Sequence, residues 1–295
     1  MRRAVTALLI ALALAGCGGR ETRDNEEGEA APALWELAHA DGRPAGYLFG
    51  TIHALPAGAE WQTERITAAL QQSDSLVVEV AALDDSAAIA SLFTSMARTP
   101  GQPPIANRLP PGERPALTQA LDAADMDARD FAEVETWAAA LMLAQAASDP
   151  AHRANGVDRA LIAANPAARP VVELEGAAGQ FAIFDRLPEA EQRALLRAII
   201  ADLPEQGTEA KRLAPAWLRG DMDAIAGEAR TGVLAVPALR EALLDGRNRA
   251  WAGRIGQLAA AGRRPFVAVG AAHMTPPGGL PQLLARQGFS VQRIQ

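Results

Sequence analysis

The stretch Tyr47-Leu48-Phe49-Gly50-Thr51-Ile52-His53 decides the fold. It reads as an apolar strand that ends in a glycine turn and presents a histidine. Near the other end of the chain, Val267-Ala268-Val269-Gly270-Ala271-Ala272-His273 repeats the pattern. The chain holds four histidines, and two of them stand in this setting, G-x-x-H after a short apolar run. Glycine permits backbone geometry and close approach that a Cβ would block. Imidazole can ligate a divalent ion or exchange a proton near neutral pH.

Outward from each G-x-x-H the order is the same: strand, loop, helix, strand. At the front, residues 35–39 alternate before the turn signal Asp41-Gly42-Arg43-Pro44, so a hairpin delivers the first histidine. Trp61, Ile66, Ala69 and Leu70 follow at helical spacing, and Leu76-Val77-Val78-Glu79-Val80 reads as a buried strand. At the back, a strand at 265–269 precedes the second G-x-x-H, a helix near 280–287 and a strand at 289–294. The pattern predicts an α/β domain over 34–295. Its mixed sheet is formed by the two strand–GxxH–helix–strand units, with a mostly helical insertion over about 86–262 that includes one further strand at 170–175. His53 and His273 would then lie together outside the carboxyl ends of strands, where ligands bind in open α/β sheets.

The 295 residues carry a net charge of −7, with Lys211 the one lysine. No basic stripe interleaved with aromatics occurs, which argues against a nucleic-acid partner. Met1-Arg2-Arg3, the apolar run 4–14 and Leu14-Ala15-Gly16-Cys17 read as a lipoprotein signal peptide over 1–16, with Cys17 as the lipidated residue. An acidic, glycine-containing tether spans 17–33. The expected address is the bacterial envelope, held by lipid and facing the periplasm. Gly18 lacks the aspartate that retains many lipoproteins at the inner membrane, which points to the outer one. Cys17 is the sole cysteine, so the mature domain has neither a disulfide nor thiol chemistry.

Glu79 interrupts an apolar run, and a carboxylate there is costly to bury unless it is paired or metal-bound. Glu173 and Glu175 alternate around Leu174 and so share one strand face. Asp158 reads as a cap of the helix that follows it, and Arg247 as a helical, surface arginine. His39 and His152 lack the glycine turn and read as structural or exposed. P-loop, G-x-G-x-x-G, H-E-x-x-H, G-x-S-x-G and C-x-x-C motifs do not occur.

Taken in order, the two G-x-x-H segments, Leu76 to Val80, Gly156-Val157-Asp158, Leu174-Glu175, Trp217 to Asp221, Arg247-Asn248 and Trp251 resemble the TraB/GumN family, which includes the Tiki proteases. The resemblance spans about residue 34 to the C-terminus. It implies an α/β fold related to the erythromycin-esterase and haem-binding-lipoprotein superfamily. It also implies a catalytic set of His53, His273 and Glu79, with Glu175 and Arg247 in support. The loop Thr275-Pro276-Pro277-Gly278-Gly279 is richer in proline than the family pattern.

The first expectation is a metal-dependent hydrolase acting on peptides or another small-molecule substrate. His53, His273 and Glu79 would hold Mn, Co or Zn, which polarises a carbonyl and acidifies water. Glu79 or Glu175 would serve as general base and Arg247 would steady negative charge. Two alternatives stand beside it: a binding lipoprotein for haem, metal or a small ligand without turnover, and a metal-free His/Glu esterase-like hydrolase.

Overall fold

The computed structural model describes residues 30–148, 155–203 and 213–295. The predicted signal sequence, Cys17 and most of the tether lie outside the described residues, as does His152. The end of the tether stretch belongs to the fold. Ala33 is buried and the Ala31 N–H donates to the Leu218 carbonyl at 2.7 Å.

Six strands form one mixed sheet: β1 Leu34–Ala38, β2 Pro44–Thr51, β3 Ser75–Val78, β4 Val171–Glu173, β5 Pro265–Gly270 and β6 Ser290–Arg293. Their order is β4-β3-β5-β2-β1-β6. Strand β1 runs antiparallel to both β2 and β6, while β2, β3, β4 and β5 are mutually parallel. Gly50 sits opposite Val269 and Thr51 opposite Gly270. The two G-x-x-H segments therefore leave the sheet side by side in the same direction. Strand β3 flanks β5 on its other edge with Val78 opposite Ala268, so Glu79 leaves at the same level.

Both faces of the parallel strands are covered, which explains their unbroken apolar runs. Phe49, Val78, Phe266 and Ala268 pack on one face against Trp61, Ile66 and Trp217. Leu48, Val77, Val267 and Val269 pack on the other against Trp251, Ile255, Leu280 and Leu284. The helix Glu64–Gln72 covers the first face; the helices Gly246–Ala260 and Leu280–Arg286 cover the second. The two strand–GxxH–helix–strand units thus share one sheet but place their helices on opposite sides. Two glycines set the close approaches. Gly46 has φ +132° and a Cβ there would meet the Pro265 carbonyl oxygen at 2.5 Å; at Gly50 it would meet Ala271 Cα at 3.0 Å.

The middle of the chain builds a separate helical core from the helices Ser86–Ala97, Thr136–Ala147, Gly176–Asp185 and Glu189–Asp202, centred on Trp137, Phe93 and Phe181. It is tied to the sheet through β4, which pairs with β3. No described helix is long and apolar enough to cross a membrane.

Candidate functional site

His53 stands just beyond β2. The Ile52 carbonyl accepts from the Val157 N–H at 3.0 Å and so docks the helix Val157–Ala163 beside it. That helix brings in Asp158. Its Oδ1 accepts from Thr51 Oγ1 at 2.7 Å, and its Oδ2 lies 2.7 Å from His53 Nδ1. Oδ2 has no other partner, so the contact with His53 is what occupies it. The expectation that Asp158 caps its helix does not hold. Gly156 occupies the N-cap without a side-chain bond, and Asp158 turns toward the sheet. Trp217 Nε1 donates to the Gly50 carbonyl at 2.7 Å and pins the turn that presents His53.

Glu79 is buried one residue past β3. Its Oε1 accepts from the Gly270 N–H at 2.8 Å; its Oε2 accepts from Arg247 Nη2 at 2.7 Å and Gln180 Nε2 at 3.2 Å. Arg247 comes from the helix Gly246–Ala260, whose first residue follows the π-helical turn Glu241–Asp245. It is not a surface arginine: 13% of its side chain is exposed. Nε and Nη2 donate to the two oxygens of Glu175 at 2.9 and 2.8 Å, Nη1 donates to the Leu243 carbonyl at 3.0 Å, and Nη1 faces His273 Nε2 at 3.4 Å. With the bond to Glu79, all five N–H groups of the guanidinium face acceptors. The cation also stacks over Trp251, 4.5 Å from the ring centroid.

Glu173 and Glu175 part company, contrary to the shared strand face expected. Strand β4 ends at Glu173, whose Oε1 accepts from the Ala81 N–H at 2.6 Å. Glu175 has left extended geometry, with φ −130° and ψ −41°, and opens the helix Gly176–Asp185 toward Arg247.

His273 lies in the 3-10 turn Ala271–Met274 and is 5% exposed. Its Nδ1 is 2.5 Å from Asn248 Oδ1, and its ring packs on Trp251 at 4.4 Å between centroids. The convergence of the two histidines is read most directly at Gly270. A Cβ built there would stand 3.5 Å from Glu79 Oε1, 3.5 Å from His53 Nε2 and 3.7 Å from His273 Cδ2. One small space beside a glycine therefore touches all three residues.

The environments separate their charge states. Burial disfavours the Glu79 charge, but Arg247, both histidines and the Gly270 N–H outweigh it and hold its pKa down at about 2. Burial, then the Arg247 charge, pushes His273 down to about 3, so it is neutral. For His53, desolvation opposes the charge, while the charge and proximity of Asp158 overcome it and raise the pKa above the ordinary histidine value. Its side chain is 42% exposed, so it is the accessible member of the set. Glu175 and Arg247 also line an open groove of about 490 Å³, together with Ile183, Leu187, Ala242, Ala250 and the acids Glu191 and Glu241.

The divalent ion expected from the sequence can be tested against these donors. No three His, Cys, Asp or Glu side chains among the described residues stand close enough to hold a cation together. Both oxygens of Glu79 and of Glu175 are engaged, and His273 Nε2 looks at a guanidinium. As arranged, the residues do not fit a metal centre, because Arg247 already stands as the cation among them.

Asp158, Asn248, Thr51 and Gln180 complete the cluster without having been singled out for it from sequence. Asp158, Asn248 and Thr51 had a signal, being members of the ordered motif set themselves. Their partners cannot be read from spacing along the chain.

A parallel-centred sheet, two strand-end histidines and a buried Glu–Arg–Glu cluster define the class. The chain belongs to the TraB/PrgY/gumN family, whose model matches residues 33–293. Among its relatives are two proteins both called "Uncharacterized protein YbaP". The one from Shigella flexneri is 26% identical over 251 residues, covering 82% of this chain and 89% of the relative. The one from Escherichia coli (strain K12) is 26% identical over 246 residues, covering 81% and 87%. No solved structure gives a significant match.

Proposed function

We propose that this chain is a hydrolase of carbonyl substrates, with peptides the first class to try, and that His53 is its general base. The observation that carries the reading is the space beside Gly270, bounded by His53 Nε2, Glu79 Oε1 and the His273 ring. Asp158 faces Nδ1 of His53 and leaves Nε2 directed at that space. Against desolvation, Asp158 raises the His53 pKa above the ordinary histidine value, which makes His53 the stronger base of the two histidines. Water held at Nε2 loses its proton to His53 as it attacks the carbonyl, and the imidazolium returns that proton to the leaving group as the tetrahedral intermediate breaks its C–N or C–O bond. The imidazolium that forms is stabilised by the charges of Asp158 and, more weakly, Glu79, against the opposing charge of Arg247.

In this reading the glutamates are not proton carriers. Glu79 stays ionised down to about pH 2 and spends both oxygens on Arg247, Gly270 and Gln180. Arg247 has no N–H left for a substrate oxygen; it holds the two glutamates and the His273 wall in place. We also propose that the protein works at the bacterial envelope, tethered through Cys17, on the strength of the N-terminal sequence. The test is a broad screen of peptides and esters with the purified chain, run in chelator and again with added Mn, Co or Zn. Turnover in chelator that His53→Ala abolishes supports the proposal. Turnover that requires an added ion would replace it with the metal-dependent mechanism. No turnover in any arm would sink both.

A further inference from the structure

The two histidines are twins in sequence but are given different partners. His53 faces a carboxylate, Asp158, whereas His273 faces an amide, Asn248. From that difference we infer that Asn248 is a positioning residue that locks His273 in the tautomer with its proton on Nδ1, leaving Nε2 as a lone-pair acceptor. The inference rests on the hydrolase reading for its function but on contacts alone for its chemistry.

The proton's position follows from both ends of the ring. Asn248 Nδ2 donates to the Gly278 carbonyl at 2.9 Å, and turning the amide over would set two oxygens against each other there. The oxygen of Asn248 is therefore the atom facing His273 Nδ1 at 2.5 Å, and an amide oxygen only accepts. Nδ1 must carry the hydrogen. At the other end, Nε2 meets Arg247 Nη1 at 3.4 Å, and a guanidinium only donates. Nε2 must carry the lone pair. The opposite tautomer would set lone pair against lone pair at Asn248 and N–H against N–H at Arg247. A single directional chain results: Asn248 anchored on Gly278, His273 donating to Asn248, and Arg247 turned toward His273 while it holds Glu79 and Glu175. Asn248 is 1% exposed, so water does not compete for these contacts. An orienting partner of this kind on the far nitrogen of an imidazole is worth about 10–100-fold in function where it has been measured at metal-bound histidines.

The chain has four histidines, which makes ring-nitrogen NMR practical. The full chain, labelled with ¹⁵N-histidine, is examined by long-range proton–nitrogen correlation at pH 7, with His273 assigned by its loss in His273→Ala. The wild type should show His273 with Nδ1 protonated and Nε2 bare. Asn248→Ala should give a mixture of tautomers and lower kcat about tenfold or more with little change in KM. Asn248→Asp, which keeps an acceptor for Nδ1 while giving up the bond to the Gly278 carbonyl, should keep Nδ1 protonated. An Nε2–H tautomer in the wild type overturns the inference, as does an unchanged pure tautomer in folded Asn248→Ala. If Asn248→Ala does not fold, the wild type and Asn248→Asp decide it: loss of the Nδ1 proton in either is fatal. The spectra need no substrate, so the inference and the hydrolase reading can fail separately.

Discussion

Arg247 is the place to press hardest. Its guanidinium is 13% exposed and neutralises Glu79 and Glu175, which are 11% and 13% exposed. Arg247→Met keeps the length of the side chain and an apolar contact with Trp251 but removes the charge. Two buried carboxylates then lose their cation. Breaking a buried pair from one side costs about 3–5 kcal/mol. An independent route gives a similar figure. Glu79 is held at about 2 against an ordinary 4.5, and at about 1.4 kcal/mol per pKa unit that is about 3 kcal/mol of native-state stabilisation. The sign follows from linkage. A carboxylate whose folded pKa is depressed contributes stability that is full above 4.5 and lost as the pH falls toward 2. In the variant burial loses its largest counterweight and the Glu79 pKa rises toward or past its ordinary value, so the variant gains stability relative to wild type as the pH drops. Urea unfolding of both proteins at pH 8 and pH 4 reads this directly. The expected gap is about 3 kcal/mol at pH 8 and clearly smaller at pH 4. A gap below about 1 kcal/mol at pH 8, or an equal gap at both pH values, would refute the argument that this cluster is a buried charge network.

Three further outcomes follow from other parts of the molecule. Gly270→Ala should leave stability unchanged or raise it by up to about 1 kcal/mol, because φ there is −47° and the added Cβ makes ordinary contacts, while turnover drops about 100-fold because the Cβ fills the reaction space; thermal melting and kcat/KM separate the two effects. Asp158→Asn should remove the charge that raises the His53 pKa, moving the acid limb of the pH–rate profile to lower pH and reducing kcat about 10-fold or more; a limb that stays in place would remove Asp158 from the account. Asp202 is pushed up to about 6 by burial alone, so its neutral form is the favoured one and stability is lost as the pH rises from 3.8 through 6. Asp202→Asn should therefore stabilise the chain at pH 8, by about 1 kcal/mol once the shift is discounted for the solvent that screens this half-exposed group, and much less at pH 4 in the same urea assay.

The sheet was legible because its parallel strands must be apolar on both faces. Residues 47–49, 76–80 and 265–269 announce themselves as apolar runs, the second interrupted by Glu79, and the strands they mark are Pro44–Thr51, Ser75–Val78 and Pro265–Gly270. The pairing of the two G-x-x-H segments was legible because glycine, small residues and histidine recur at the same spacing after equivalent strands. Glu79 was conspicuous for a related reason, a carboxylate in an apolar run. Arg247 was not, because a helical arginine is ordinary until the helix is seen to lie over two carboxylates from other elements. Asp158 was misread because an acid in the first turn of a helix has a local use as a cap, and sequence favours the local use. Asn248 carried no reading of its own beyond its place beside Arg247. Contacts that set protonation are made across the fold, between residues far apart in the chain.

The central claim is that His53 and His273 serve one reaction at one place. It is tested most directly by a double-mutant cycle of kcat/KM on whichever peptide or ester the wild type turns over. Residues that act as a unit are grossly non-additive, so one removal forfeits most of what both supply. His53→Ala should cost about 100-fold or more, and adding His273→Ala to it should cost little further. Independent, additive losses from the two histidines, or no loss from His53→Ala, would contradict it.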